Sequence, residues 1–290
     1  MVDRRDRQGF LGPHSADLLK RLLVGIVGLG GGGSHIVQQL AHVGVGSFVL
    51  CDPDKLEESN LNRLVGAMVR DLGPRRSKVH IAARTIRRVN SAAQIHSLEC
   101  AWQERAERLR DCDVIFGCID SFAARLELEQ FTRRYLIPYI DIGMDVHPFV
   151  SSFSISGQVA ISIPGAACLR CMGILSEERV AREAADYGAA GPRPQVVWPN
   201  GALASTAVGL MMQLVTPWFT PSQLTVLMEY DGNSQEIRRA TASDHLAAAT
   251  CRHFQSATDL GDPWFAADTA TESFRPAHLA RADTTERTRR

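Results

Sequence analysis

Leu22-Leu23-Val24-Gly25-Ile26-Val27-Gly28-Leu29-Gly30-Gly31-Gly32-Gly33 is the stretch on which the fold turns. Its first half is apolar and short, as a buried strand is. Its second half is a glycine turn, and Ile36, Val37, Leu40 and Val43 follow at helical spacing. Strand, glycine turn and helix in that order leave the first amides of the helix free to cradle a phosphate. Gly28, Gly30 and Gly33 satisfy G-x-G-x-x-G, with Gly31 inside the run. Several classes of nucleotide-binding protein carry that spacing, so it predicts a nucleotide without saying which.

Outward from this unit the chain alternates strand and helix. Ser47–Cys51 reads as a second strand, ending at Asp52. Helical residues at 77–89, a strand at Gln94–Leu98 and an almost wholly apolar strand at Asp113–Asp120 follow. Ser121 is placed to cap a helix to about Tyr135, and Pro138–Gly143 reads as a fifth strand. The pattern then changes. Residues 149–163 alternate as antiparallel strands do, around Ser156-Gly157, and Leu224–Tyr230 with Gln235–Arg238 suits a closing hairpin. Helices are expected near Glu177–Ala185 and over Gly201–Val215, with a Gly/Pro-rich loop from Gly188 to Pro199 between them. The expected fold is α/β: a Rossmann-like, doubly wound, mainly parallel sheet with antiparallel strands added in the C-terminal half. Its expected divisions are an N-terminal arm and helix (1–21, with Ser15 as a cap), the main domain (22–254), and a partly disordered tail (255–290).

Composition narrows the function classes. Lys+Arg and Asp+Glu are both 32 in 290 residues, so no net charge points to nucleic acid or a membrane. The N-terminus is charged rather than apolar, and the longest apolar run, Ala202–Val215, is too short to span a bilayer. Seven scattered cysteines read as reduced thiols or metal ligands, which predicts a cytoplasmic protein.

Asp52 stands where an acidic residue bonds a ribose, about 20 positions after the glycines, and to that point NAD and ATP fit equally. Three further features favour ATP. Ser59-Asn60-Leu61-Asn62-Arg63 lies just past the ribose position, Lys78 opens a helix after Gly73-Pro74, and Asp120 ends an inner strand. Hydride transfer needs no such cations, whereas a reaction between two anions does.

Taken together, these residues resemble the ThiF/MoeB/HesA family of ubiquitin-activating-enzyme-like adenylyltransferases, over roughly residues 4 to 253. The resemblance implies that Gly30 and its neighbours approach the phosphates and that Asp52 holds the ribose. It implies that Asn60, Arg63 and Lys78 contact the triphosphate of ATP, and that Asp120 holds Mg²⁺. Arg4-Arg5-Asp6-Arg7-Gln8 resembles the family's N-terminal Arg-x-x-Arg-Gln. Arg7 would then be donated to the partner subunit's site in a homodimer. The interval from Arg63 to Lys78 is longer than the family pattern, which makes Arg76 the runner-up for the role of Lys78.

Cys168-x-x-Cys171 has the spacing of half a zinc site. By the resemblance a second pair closes it near the C-terminus, where this chain has Cys251-Arg252-His253. Cys168, Cys171, Cys251 and His253 therefore form the expected structural Zn²⁺ site, with His245 as a spare ligand. Family members that carry substrate as a thioester use a cysteine between the knuckle and the small-residue helix, yet no cysteine occurs from Met172 to Thr250. Cys51, Cys112 and Cys118 read as core. The expected activity is adenylation of the C-terminal glycine carboxylate of a ubiquitin-like or sulfur-carrier protein, passed on to a sulfur donor, an amine or a conjugating enzyme. The alternatives are a small-molecule, peptide or modified-tRNA carboxylate on the same fold, a non-catalytic nucleotide-binding partner, or an NAD-dependent oxidoreductase.

Overall fold

A computed structural model of the chain describes residues 6–185, 194–219, 226–254 and 259–261. Helix α1 (Ser15–Arg21) leads into β1 (Leu23–Val27), and α2 (Gly31–Val43) into β2 (Ser47–Cys51). Then come α3 (Lys78–Val89), β3 (Gln94–Leu98), β4 (Val114–Gly117), α4 (Phe122–Arg134), and the long strands β5 (Tyr139–Phe149) and β6 (Ser152–Ser162). Helices α5 (Glu177–Ala185) and α6 (Val197–Val215), strands β7 (Leu227–Asp231) and β8 (Glu236–Arg239), and α7 (Ser243–Ala248) complete it.

The strands form one sheet in the order β3-β2-β1-β4-β5-β6-β7-β8. The first five are parallel, and β6, β7 and β8 add antiparallel. This is the expected fold class. The order reverses between β1 and β4, so the carboxyl ends of those strands open a crevice at the switch point. Two apolar layers flank the sheet. On one face α1, α2, α3 and α6 bury Leu19, Ile36, Leu40, Val79 and Leu203 against Val24, Ile26, Phe48 and Phe116. On the other, Trp102, Leu128, Phe131 and Leu169 cover Val49, Ile115 and Tyr139. Strand β4 is buried throughout, which explains its unbroken apolar run.

Several boundaries differ from the sequence reading, each for a local reason. The sequence pattern places the first helix from about Gly33 to Val43, but α2 begins at Gly31, because Gly30 serves as the cap. Ser15 lies inside α1, its hydroxyl donating back to the Leu11 carbonyl at 2.8 Å, and His14 takes the cap position. The β5–β6 hairpin turns at Val150-Ser151, not around Ser156-Gly157. Gly157 continues the ladder opposite Met144, where a Cβ would stand 2.7 Å from Leu203 Cδ1 on α6. Helix α6 begins at Val197, and Pro199 is tolerated because it falls in the first turn. Helix α7 was not expected, its six residues being too few to show a period. Residues 188–193 of the Gly188–Pro199 loop and the tail beyond residue 261 lie outside the described residues, as do Arg4 and Arg5.

Candidate active site and metal centre

The glycine turn closes against β4. Gly28 has φ of 89°, and a Cβ on it would overlap the Cys118 carbonyl, so only glycine lets the ends of β1 and β4 meet this closely. Gly33 packs on the Gly28 carbonyl. A Cβ at Gly31 would stand 2.6 Å from the Asn200 amide on α6. Gly30 alone in the run faces open space, and it caps α2 without a side-chain partner for the helix amides. Helix α2 thus presents uncapped N–H groups to the crevice, the arrangement that receives a phosphate.

Asp52, one residue past β2, sits beneath the turn. Its carboxylate accepts from Leu29 N at 2.6 Å and from Asp54 N at 2.8 Å. Burial pushes its carboxyl above the usual range, opposed by Lys78 and the two backbone N–H groups. The Lys78 ammonium stands 3.9 Å from Asp52 and 2.6 Å from Asp54. Lys78 is the first residue of α3, capped by Ser77, whose Oγ accepts from His80 N. A lysine there opposes the helix dipole, by about 0.3–1 kcal/mol, so helix stability does not explain it. Its place is fixed by the excursion before it. Lys78 N donates to the Asp54 carbonyl at 3.0 Å, and Lys55 and Ser77 form an antiparallel bridge. Arg76 is exposed, which separates it from Lys78 in environment.

The Asn60–Arg63 segment forms short turns along the same crevice. Arg63 donates to the Ser59 carbonyl at 2.7 Å and to Asn62 Oδ1 at 2.9 Å, and is half-buried. Asn60 is buried, and its side-chain oxygen accepts from Glu57 N at 3.1 Å. That oxygen caps the turn, so the N–H groups of the amide are what Asn60 can offer an anion. Asp120, exposed beyond β4, accepts from Gln195 Nε2 at 3.2 Å, and the Gln195 carbonyl accepts from Asn62 at 3.0 Å. Gln195 thereby joins the Asn60–Arg63 segment to Asp120 across the mouth of the crevice. Gly28–Gly33, Asp52, Lys78, Asn60, Arg63 and Asp120 are thus brought to the carboxyl end of the sheet. Arg7 is not. It is exposed in a 3₁₀ turn (Asp6–Leu11) that packs near the far end of α6, with Phe10 6.2 Å from the Trp218 ring and Gly12 against Pro217.

Beneath Asp120 lies a cluster that sequence reasoning missed. Arg125 on α4 grips Asp141 on β5 through both carboxylate oxygens, and Tyr139 OH donates to the same Asp141 oxygen that Arg125 Nε reaches. All three are buried. The signal was an aspartate in an otherwise apolar strand, Tyr139-Ile140-Asp141-Ile142, which demands a buried cation nearby.

The four cysteine and histidine residues expected to bind zinc converge. Cys168 and Cys171 Sγ are 3.7 Å apart, and Cys171 and Cys251 Sγ 3.8 Å. His253 Nδ1 lies 3.3 Å from Cys168 and from Cys171. Sulfurs at about 2.3 Å from a tetrahedral zinc are ~3.8 Å from each other, so this donor set fits that ion. Burial and the neighbouring Arg170, Arg252 and Arg133 hold the His253 imidazole below its usual range, in the neutral form a ligand needs. His245, on α7, is outside the group. Cys51 and Cys118 have thiols pushed far up by burial, which suits core residues and not nucleophiles. Among the described residues no helix is long and apolar enough to cross a membrane.

The profile of the ThiF family matches residues 4–252. Ubiquitin-like modifier-activating enzyme 5 of Mus musculus is 29% identical over 168 residues, which is 53% of this chain and 40% of that protein. SAMP-activating enzyme E1 of Haloferax volcanii is 32% identical over 164 residues, covering 56% and 57%. The chain thus spans about half the length of these curated relatives. Among solved structures, Escherichia coli MccB with ATP superposes with a TM-score of 0.67 at 18% identity, over 87% of this chain and 75% of that one. The microcin C7 biosynthetic enzyme MccB in complex with N-formylated MccA gives 0.68 at 18%, over 83% and 73%. Those two likenesses concern the fold.

Proposed function

Because the chain belongs to the ThiF family, we propose that it uses ATP to adenylate the C-terminal glycine carboxylate of a ubiquitin-like or sulfur-carrier protein. The observation that carries this reading is the meeting of the uncapped α2 amides, the Asp52–Lys78 pair and Asp120 at one switch point. The carboxylate oxygen attacks the α-phosphorus, the bond to the β-phosphate breaks, and pyrophosphate leaves with its electrons. A carboxylate is already ionised at neutral pH, so no general base is required. The barrier is repulsion between anions, and fixed cations lower it. Lys78 and Arg63 supply two. Asp120 would hold Mg²⁺, which binds through one or two carboxylates together with substrate phosphates and neutralises their charge. Asp141 is unsuited to that task, since Arg125 already occupies it.

Arg7 supplies a further cation from a second copy of the chain. Helix α6 has 19 residues and spans about 28 Å, with Asn200 against the glycine turn at one end and Pro217 against the arm just past the other. An arginine on that arm serves a neighbour's site more readily than its own. A groove of 430 Å³, lined by Ser156, Gln158, Met172, Arg179 and Arg238, suits the incoming tail, for Gln158 packs on Gly143 near Arg125. With no cysteine from Met172 to Thr250, the acyl-adenylate passes to an external acceptor, a sulfur donor or a conjugating enzyme.

A peptide substrate is the second reading, favoured by the likeness to MccB bound to N-formylated MccA. ATP–pyrophosphate exchange separates the two. Exchange that requires a protein ending in glycine supports the first, and exchange with short peptides alone moves the assignment to the second. No exchange with either sinks both.

A further inference from the structure

Arg125, Glu129 and Arg133 recur every fourth residue of α4 and so share one face of the helix. All three are buried, Glu129 and Arg133 completely. Three buried charges in a row are a costly way to pack a helix whose neighbouring Leu128 and Phe131 already fill the core. Each, however, holds a different part of the molecule. Arg125 holds Asp141 at the strand ends. Glu129 Oε1 accepts from Ser162 Oγ at 2.5 Å and from Leu169 N at 2.9 Å, the amide directly after Cys168. Arg133 donates to the Ala166 and Ala167 carbonyls at 3.1 and 3.0 Å, and its guanidinium lies 4.8 Å over the ring of Phe254, next to His253.

One helix face therefore grips both halves of the Cys₃His group at its C-terminal end. At its other end it carries Ser121, the cap that follows Asp120, and Arg125. Arg125 to Arg133 is a rise of about 12 Å, a distance over which an α-helix moves as a rod. We propose that α4 couples the metal centre to the nucleotide site, with Glu129 and Arg133 as the positioning residues that make the connection. Without an ion, three thiols and an imidazole lose their common centre, and residues 168–171 can part from 251–254. The backbone groups that Glu129 and Arg133 hold then lose their fixed positions, and of their hydrogen bonds the two side chains keep those to Ser162 on β6, so the C-terminal part of α4 is held less firmly. The coupling must be reciprocal, since an ion that tightens nucleotide binding is itself held more tightly when nucleotide is bound.

The coupling rests on the adenylation reading only for what the nucleotide site does, and its test keeps the two apart. Hydrogen exchange is measured on the full chain, zinc-loaded and after chelation, alongside ATP affinity and the rate of zinc transfer to a chromogenic chelator. Chelation is expected to speed exchange at Phe122–Leu128 and to weaken ATP binding by about five-fold or more. ATP with Mg²⁺ should slow zinc release by a similar factor. Glu129→Gln with Arg133→Met should shrink these effects below about two-fold while zinc still binds. Glu129→Gln alone, which keeps the hydrogen-bonding shape, should give an intermediate value and serves if the double variant does not fold. Unchanged exchange at Phe122–Leu128 after chelation, with the 168–175 amides deprotected, overturns the proposal. A chain that shows the α4 effect and the linkage between zinc and ATP but gives no ATP–pyrophosphate exchange would retain the coupling and lose the adenylation reading.

Discussion

Replacing Lys78 by methionine removes one charge at the centre of the site and keeps most of the side-chain volume. Lys78 is 13% exposed and its ammonium stands 3.9 Å from Asp52. At an effective dielectric constant of about 20, that separation corresponds to about 4 kcal/mol of attraction. Part of it is lost to screening and to the competing Asp54, which is 62% exposed, so about 1–2 kcal/mol of folding stability should disappear at neutral pH. The pH dependence follows from the sign of the shift. Burial already raises the Asp52 carboxyl above its unfolded value. Its contribution to stability is therefore greatest at low pH and is lost as pH rises through the folded pKa. Without Lys78 that shift grows, so the stability difference between variant and wild type in urea should be small near pH 4 and reach its full size by pH 7. Catalysis should suffer more. Losing one fixed donor to the departing pyrophosphate corresponds to about 2.7–4 kcal/mol of barrier, or a 10²–10³-fold fall in ATP–pyrophosphate exchange. Arg76→Met is the control and should change exchange by less than about three-fold. If Arg76→Met abolishes exchange and Lys78→Met does not, the assignment of the phosphate cation is wrong.

The other expectations use different observables. Asp120→Ala should abolish exchange with little change in denaturant midpoint, because the residue is exposed; retained exchange would remove it from metal binding. Mixing Arg7→Ala with Asp120→Ala subunits should restore about a quarter of wild-type exchange, since half the dimers are mixed and each has one intact site. Recovery of nothing would mean that Arg7 does not act across an interface. Arg125→Met leaves Asp141 buried without its cation and should cost about 3–5 kcal/mol by urea unfolding, a loss that a surface role could not produce. Metal analysis of untreated protein should find zinc, and Cys171→Ser should lower its retention; its absence from the wild type would dismiss the Cys₃His centre.

The sequence carried the fold wherever burial imposed a pattern. Leu23–Val27 and Val114–Gly117 are covered on both faces, so their apolar runs were readable, and Gly28 announced the turn because no other residue fits beside Cys118. The hairpin turn at Val150-Ser151 was not readable. It uses a β-branched residue at φ of 51° where glycine or asparagine is expected, while Gly157 is there to admit Leu203. In the site, Asp52, Lys78 and Asp120 were legible because each follows a recognisable strand end or opens a helix. The Arg125–Asp141–Tyr139 group was hidden because a buried arginine on a helix looks like any other in sequence, and only the fold brings its partner to it. Gln195 was equally hidden, since its bond to Asp120 depends on where a loop returns. The four residues expected to hold zinc were named from spacing and resemblance, and the structure adds the distances that make them one group.

The central claim is that a substrate carboxylate oxygen attacks the α-phosphorus of ATP at this site. It is tested by supplying a glycine-terminated carrier protein whose C-terminal carboxylate bears ¹⁸O, completing the turnover, and weighing the products by mass spectrometry. Attack at the α-phosphorus leaves the bridging oxygen on AMP, so the account predicts ¹⁸O in AMP and none in pyrophosphate. Label in inorganic phosphate, with ADP formed in place of AMP, would place the attack at the γ-phosphorus and contradict it.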